Sequence, residues 1–138
     1  MVITNEDLQN VEATFSDKRD NDKVDFAMFG CPHFTLEEAQ HIAEGVKGKK
    51  LAIPMYILVS SHALQMAQRM GIADVLAEAG AEIIADSCPD QPCWHYLKGK
   101  VGITESPKCA YYPRRRGIHF IIRDLDTCIQ AALTGEVK

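Results

Sequence analysis

The chain of 138 residues is long enough for one domain with a hydrophobic core and too short for two ordinary ones. Its 46% hydrophobic and 25% charged residues are typical of a globular protein, and its net charge of −4 argues against a nucleic-acid partner. No apolar run is long enough to cross a bilayer, and residues 1–7 are too polar and acidic for a targeting peptide, so we expect a cytoplasmic protein with no membrane partner.

The first predicted element is a helix over 5–16, capped by Thr4, whose apolar positions recur with helical spacing. Residues 17–23 are charged and rich in Asn and Asp, so we interpret them as a linker. The strand pattern begins only after them. The sequence therefore predicts an N-terminal helix and linker over 1–23 and an α/β domain over 24–138.

The next elements alternate between strand and helix. A short apolar run over 24–29 predicts the first buried strand. Thr35 and Glu38 form a capping box that predicts a helix over 36–46. A second apolar run over 51–59 predicts the second strand.

The middle of the chain continues the alternation. Ser61 is predicted to cap a helix that runs through Met70, and a further helical segment covers 72–79. A third strand is predicted over 82–86. The stretch over 87–100 lacks clean periodicity and predicts a structured loop.

The last part of the chain returns to apolar runs and helical spacing. The remaining predicted elements are a strand over 100–103, an irregular stretch over 104–117, a strand over 118–122 and a helix over 125–133. Asp124 or Asp126 caps this last helix, and Gly135 ends it.

The order of these elements is β-α-β-α-β-loop-β-α, with strands that are continuously apolar. Strands of this kind are buried on both faces. The sequence therefore predicts an α/β fold, a mostly parallel sheet with helices on both faces in a Rossmann-like three-layer αβα arrangement. Functional sites in such sheets form beyond the carboxyl ends of the strands.

Two cysteines directly follow predicted strands. Cys31, with His33 close by, follows the first strand, and Cys88 follows the third. Parallel strands would bring both thiols to one edge, where they are placed to share a metal; buried core thiols are the alternative. A zinc site made by Cys88, Cys93 and His95 is disfavoured, because a second ligand pair is missing.

A third segment carries hydroxyl and cationic side chains. Thr104, Ser106 and Lys108 lie within five residues, and Arg114 begins an arginine triplet. Such groups bind carboxylates or phosphates, whereas the alternative is a solvated loop. With His33 they form a predicted binding set for a small anionic substrate. Among them we favour Ser106 and Lys108 over the arginines.

Four segments, in the same order, resemble the large subunit of aconitase X. They are Gly30-Cys31-Pro32-His33 with Glu37 and Glu38, Asp86-Ser87-Cys88, Thr104-x-Ser106-x-Lys108 followed by Tyr111 or Tyr112, and the closing helix from Cys128 to Gly135. The resemblance runs from about Val24 to Gly135.

This resemblance implies a hydro-lyase that depends on iron. Members of the family dehydrate small hydroxy acids, phosphomevalonate in archaea and cis-3-hydroxyproline in bacteria, with an iron–sulfur cluster or a single iron. By that analogy Cys31 and Cys88 would be iron ligands. Ser106 and Lys108 would be catalytic groups that hold the substrate carboxylate or phosphate.

The resemblance also implies partners, because it covers only the last part of a longer subunit. These would be the remaining part of the large subunit and a small swivel-domain subunit, without which the chain would be inactive. Glu105 and Pro107 replace the Asn and Gly of many relatives, so the substrate stays open.

Two other functions are considered as alternatives to the hydro-lyase. One is a non-enzymatic anion-binding or assembly module derived from the same family. The other, a thiol-redox protein, is disfavoured because the sequence has no Cys-x-x-Cys. A short α/β layer that exposes apolar surface would also favour a homo-oligomer.

Overall fold

The computed structural model describes residues 2–17 and 23–137. The strands are β1 Phe26–Phe34, β2 Met55–Val59, β3 Ala81–Ala85, β4 Val101–Thr104 and β5 His119–Ile122. The α-helices are α1 Asn5–Phe15, α2 Leu36–Val46, α3 Ser61–Arg69, α4 Ile72–Ala79, α5 Pro107–Tyr111 and α6 Leu125–Thr134. Two 3₁₀ helices cover Pro92–Leu97 and Tyr112–Arg116. None of the helices in the described ranges has the length and apolar character needed to span a membrane.

The predicted linker over 17–23 falls mostly outside the described residues. Of its members, Asp17 and Lys23 are described, and Lys23 makes an isolated antiparallel bridge to Glu136. The division of the chain at residue 23 stays a prediction.

The strands form one parallel sheet in the order β3-β2-β1-β4-β5, which confirms the predicted fold class. Ala27 of the central strand pairs with Met55 of β2 and with Ile103 of β4. β2 begins directly after Pro54, so the predicted strand over 51–59 is right only for its second half. The chain builds the sheet outward from β1 to β3 and then returns to the other side of β1. Strand order therefore reverses between β1 and β4, where such sheets form a ligand crevice.

Alternate strand residues enter two separate cores, one on each face of the sheet. Ala27 and Phe29 belong to the core that packs under α2, α3, α4 and α6. Phe26 and Met28 belong to the opposite core, which α5 and the first 3₁₀ helix cover with Trp94 among others. Complete burial of a phenylalanine contributes about 1.5–3 kcal/mol. Helices therefore lie on both faces, as predicted.

Most of the predicted helix caps are confirmed. Thr4 and Thr35 begin α1 and α2 with complete capping boxes, and Asp124 caps α6. The cap of α3 is Ser60 and not Ser61, because the Ser60 hydroxyl accepts the hydrogen bond from the third amide of the helix.

The prediction of irregular structure is wrong for much of 104–117. This stretch contains α5, in which Pro107 occupies the first turn, where its missing N–H costs no hydrogen bond. Ser106 caps the helix through its side chain. The predicted loop over 87–100 likewise contains a 3₁₀ helix.

The end of β1 contains a large bulge. Phe29 pairs with Ile57, and Phe34 pairs with Val59. Residues 30–33 therefore stand opposite a single residue of β2. The strand was predicted to stop at Phe29, but it resumes after a segment that loops out of the sheet.

Gly30 begins this bulge with a φ of 98°, and a Cβ built there would lie 2.0 Å from the Leu58 carbonyl oxygen. We expect Gly30→Ala to lower the free energy of unfolding by about 3 kcal/mol or more, because backbone strain and a backbone clash combine. Gly71→Ala is the matched control: its φ is 74°, and nothing lies within 4 Å of its added Cβ. It should cost about 1–2 kcal/mol. The free energy of unfolding is measured for both variants in urea. An equal loss in Gly30→Ala and Gly71→Ala would contradict the clash at Gly30.

Candidate functional site

A cavity of about 230 Å³ opens beside the carboxyl ends of the strands, which we call the carboxyl edge of the sheet. It is lined by residues 30–33 of the β1 bulge, residues 87–89 after β3, and Lys108 in α5. Four of the predicted site residues, Cys31, His33, Cys88 and Lys108, therefore meet in one pocket.

The backbone of Cys31 is fixed by a buried hydroxyl. Ser106 Oγ donates a hydrogen bond to the Cys31 carbonyl and accepts one from the Cys109 amide at 3.1 Å. Ser106 is 8% exposed and does not belong to the pocket lining. The same side chain thus caps α5, which carries Lys108, and ties that helix to the cysteine of the β1 bulge.

The loop that carries Cys88 is held from two sides. Trp94 Nε1 donates to the Cys88 carbonyl at 2.9 Å. His33 Nε2 lies 2.7 Å from the Ser87 carbonyl oxygen. Because a carbonyl only accepts, Nε2 of His33 carries the proton, and Nδ1 is the acceptor in the neutral ring.

Asp86, directly after β3, is a positioning residue whose role the sequence did not reveal. Its φ of 54° lies in the left-handed region, which an aspartate tolerates better than most residues. Its carboxylate accepts from the Ser61 amide at 3.0 Å, at the start of α3. The sequence signal was an Asp immediately before the thiol loop.

The pocket thiols and the lysine influence one another electrostatically. Burial raises the pKa of the Cys31 thiol, while the nearby Lys108 ammonium lowers it and Cys88 and Glu105 raise it. Cys31 is buried, whereas Cys88 is exposed. The uncharged thiol is therefore the favoured form of Cys31 until a cation binds beside it.

The structure does not bring Thr104 and Arg114 into the pocket lining. Thr104 is fully buried, donates to the Glu105 carboxylate at 3.3 Å and accepts from the Ser106 amide at 3.3 Å. Arg114 donates to the Thr14 carbonyl at 3.1 Å and to Asp17 at 3.0 Å. Arg114 therefore anchors the N-terminal segment in the structure.

The remaining cysteines divide between core and surface. Cys109 and Cys128 are fully buried in the two cores, and burial raises the pKa of each thiol. Cys93 is exposed, and its Sγ lies 3.8 Å from the Gln91 side-chain oxygen. Within residues 2–17 and 23–137, no three His, Cys, Asp or Glu side chains are grouped to hold a metal ion.

Glu105, at the end of β4, is the other residue whose importance the sequence did not reveal. Burial raises its pKa to about 7, and the nearby Glu38 carboxylate acts in the same direction. Its hydrogen bond from Thr104 opposes that shift. A carboxyl group at the carboxyl edge of the sheet is thus poised to change charge near neutral pH.

The topology and the pocket define a doubly wound α/β domain with a thiol-containing crevice beside its switch point. The aconitase X third domain matches residues 24–134. The chain belongs to the aconitase X family through this domain.

Known relatives extend the match to nearly the whole chain. The phosphomevalonate dehydratase large subunit of Thermococcus kodakarensis is 31% identical over 135 residues, which cover 96% of this chain and 34% of the relative. The cis-3-hydroxy-L-proline dehydratase of Hypocrea jecorina is 29% identical and is matched over 94% of this chain and 22% of its own length. The chain thus spans about a third or less of these curated relatives.

The fold has a close counterpart among solved structures. The crystal structure of Thermococcus kodakaraensis aconitase X in its holo-form matches with a TM-score of 0.82 and 30% identity. The match covers 96% of this chain and 34% of that one. The α/β arrangement described above is therefore that of an aconitase X domain.

Titration of Glu105 should make stability depend on pH. The folded chain keeps this proton up to about pH 7, whereas the unfolded chain releases it near the ordinary pKa of glutamate. The free energy of unfolding should therefore fall as pH rises from about 4.5 to 7. Glu105→Gln should stabilise the domain at pH 8 by about 1–3 kcal/mol and flatten this dependence.

The measurement is urea unfolding at a series of pH values. Glu78→Gln, at an exposed position on α4, is the control and should leave the pH dependence of the parent chain. An unchanged pH profile in Glu105→Gln would show that this carboxyl group is already ionised in the folded domain.

Proposed function

We propose that the chain is a partial catalytic subunit of an aconitase-X-type hydro-lyase, which dehydrates a small hydroxy acid with the help of iron. One observation carries the proposal: Cys31, Cys88 and Lys108, from three separate parts of the chain, line one pocket at the carboxyl edge. Metal-binding and anion-binding groups in one crevice suit a hydroxy acid, which offers both a hydroxyl and a carboxylate or phosphate.

The donor set of the pocket fits part of an iron site. Cys31 and Cys88 would hold the iron, because thiolates are its usual protein ligands. When bound, iron supplies a Lewis acid for the hydroxyl that leaves as water. Two thiols do not complete a site, so at least one more ligand belongs to the part of the large subunit that this chain does not span.

The chain's own residues would bind and orient the substrate. The Lys108 ammonium would pair with the substrate carboxylate or phosphate. His33, with Nε2 committed to the Ser87 carbonyl, offers Nδ1 as an acceptor for a substrate hydroxyl. Ser106 and Thr104 would act as positioning residues, because their hydroxyls already bond to Cys31 and Glu105.

The relatives suggest the substrate class and the partners. Their names point to phosphomevalonate or cis-3-hydroxyproline as the kind of molecule dehydrated. The proposed partners are the rest of the large subunit and a small swivel-domain subunit, and the chain is inactive without them. The proposed compartment is the cytoplasm, where thiol ligands stay reduced.

Iron retention tests the thiol pair. We expect the complex, purified anaerobically from its own host, to contain iron and dehydratase activity. Cys31→Ser and Cys88→Ser should each abolish iron retention, while Cys128→Ser, in the core of the opposite face, should preserve it. Iron is measured by elemental analysis of complexes with matched subunit content. Equal retention in all three variants would rule out the ligand assignment, and a stable metal-free complex of the parent chain would favour the assembly module.

Lysine substitution tests the anion site. Lys108→Ala should reduce kcat/KM of the assembled enzyme by roughly tenfold to a hundredfold, or ~1.4–3 kcal/mol, the value of one charged hydrogen bond. Lys98→Ala removes the same charge beside a different cavity and should leave the kinetics unaltered. Parent-like kinetics in Lys108→Ala would exclude contact between Lys108 and the substrate.

A further inference from the structure

The helix α1 is well formed but unsupported by burial. It has a complete capping box at Thr4 and Asp7, yet none of its 11 residues is buried. Isolated helices of this length are marginal in water even when well capped. The exposed apolar residues Leu8 and Val11 are 58% and 43% accessible. None of the described residues covers Leu8 and Val11, so a further surface is needed to bury them.

Only the end of α1 is anchored to the domain. The Asp17 amide donates to the Phe120 carbonyl at 2.8 Å, and the Ile122 amide donates to Ser16 Oγ at 3.0 Å. This short segment runs opposite to β5 along the edge of the sheet. Ser16, which follows the last residue of α1, therefore lies beside the carboxyl end of β5.

A cleft separates α1 from the end of α5 and the 3₁₀ helix that follows it. The Phe15 ring packs edge-on against Tyr111 with centroids 5.3 Å apart, and Tyr111 packs against Tyr112 at 5.2 Å. The cleft has a volume of about 390 Å³, and its two tyrosines are 54% and 45% exposed. Leu8 and Val11 share the helix face of Phe15, because they precede it by seven and four residues. We call Leu8, Val11, Phe15, Tyr111 and Tyr112 together the α1 groove.

The charges beside the groove are already paired. Arg114 binds Asp17, and Arg115 binds Asp90. Because Arg114 pairs with Asp17, and Arg115 shares the Asp90 carboxylate with Arg116, the aromatic and aliphatic side chains make up most of the available surface. The groove therefore suits an apolar protein segment better than a small anion.

The relatives indicate which protein segment is missing. The third-domain match begins at residue 24, after α1, whereas the alignment to the Thermococcus large subunit covers 96% of this chain but 34% of that subunit. α1 thus directly precedes a third domain, on the side where its relatives carry their earlier domains. We propose that the α1 groove docks the polypeptide that supplies those preceding domains, an inference that rests on the proposed function.

The test uses the tagged chain produced in its own host and purified anaerobically, with bound polypeptides identified by their sequence. The parent chain should retain a polypeptide similar to the preceding domains of the large subunit. Leu8→Asp and Val11→Asp should each reduce that retention by about tenfold or more. Asn10→Asp, an exposed position on the opposite helix face, should retain it fully.

Thermal melting of the isolated variants tests whether they fold like the parent chain. Because Leu8 and Val11 are not buried, their replacement should shift the melting temperature by no more than about 2 °C. If the preceding domains prove to be on the same chain, the test is amide exchange. Residues 5–15 should then exchange slowly in the parent protein and faster in Val11→Asp.

Three results would overturn the proposal: full retention by Val11→Asp, no polypeptide bound to a parent chain that itself lacks the preceding domains, or capture of only a second copy of this chain. The outcome is separable from that of the proposed function. A groove-dependent complex without iron or dehydratase activity would keep the docking site and remove the enzyme. An active complex whose assembly is insensitive to Val11→Asp would keep the enzyme and remove the docking site.

Discussion

The pocket depends on one close approach, in which the Gly30 backbone lies against the Leu58 carbonyl with no room for a side chain. At this point β1 leaves its register with β2, and residues 30–33 bulge out of the sheet. That bulge presents Cys31 and His33 to the loop after β3. Ser106 then fixes the Cys31 carbonyl from α5. The chemistry of the site is thus set by backbone geometry, on which the thiols depend for their position.

The rest of the fold keeps polar chemistry at this edge. All five strands of the described sheet run parallel, and their side chains fill two apolar cores. The buried polar residues Thr104 and Ser106 lie at the carboxyl end of β4, close to the loops that follow β1 and β3. The reversal of strand order beside β1 opens a crevice at that edge, as in other doubly wound sheets. The family resemblance and the physical placement of the pocket therefore point to the same edge.

The thiol pair was predictable because it needs only two local facts, a cysteine at the end of each of two strands and a parallel sheet. Arg114 was not, because its partner Asp17 lies 97 residues away in sequence. The Ser106 hydroxyl was predicted to contact the substrate, but the burial of Ser106 is a property of the packed fold. The helix α5 was hidden by Pro107, whose place in the first turn is visible only once Ser106 is known to cap it. The raised pKa of Glu105 likewise depends on burial that no local pattern encodes.

The bond from Trp94 to the Cys88 carbonyl has a practical consequence. Trp94 is the only tryptophan of the chain, it is nearly fully buried, and its ring nitrogen is one hydrogen bond from the backbone of a pocket thiol. Its fluorescence is therefore an intrinsic optical reporter of the loop that carries Cys88. Rearrangement of that loop, or a quenching ion beside it, changes the emission of a single known residue without any label.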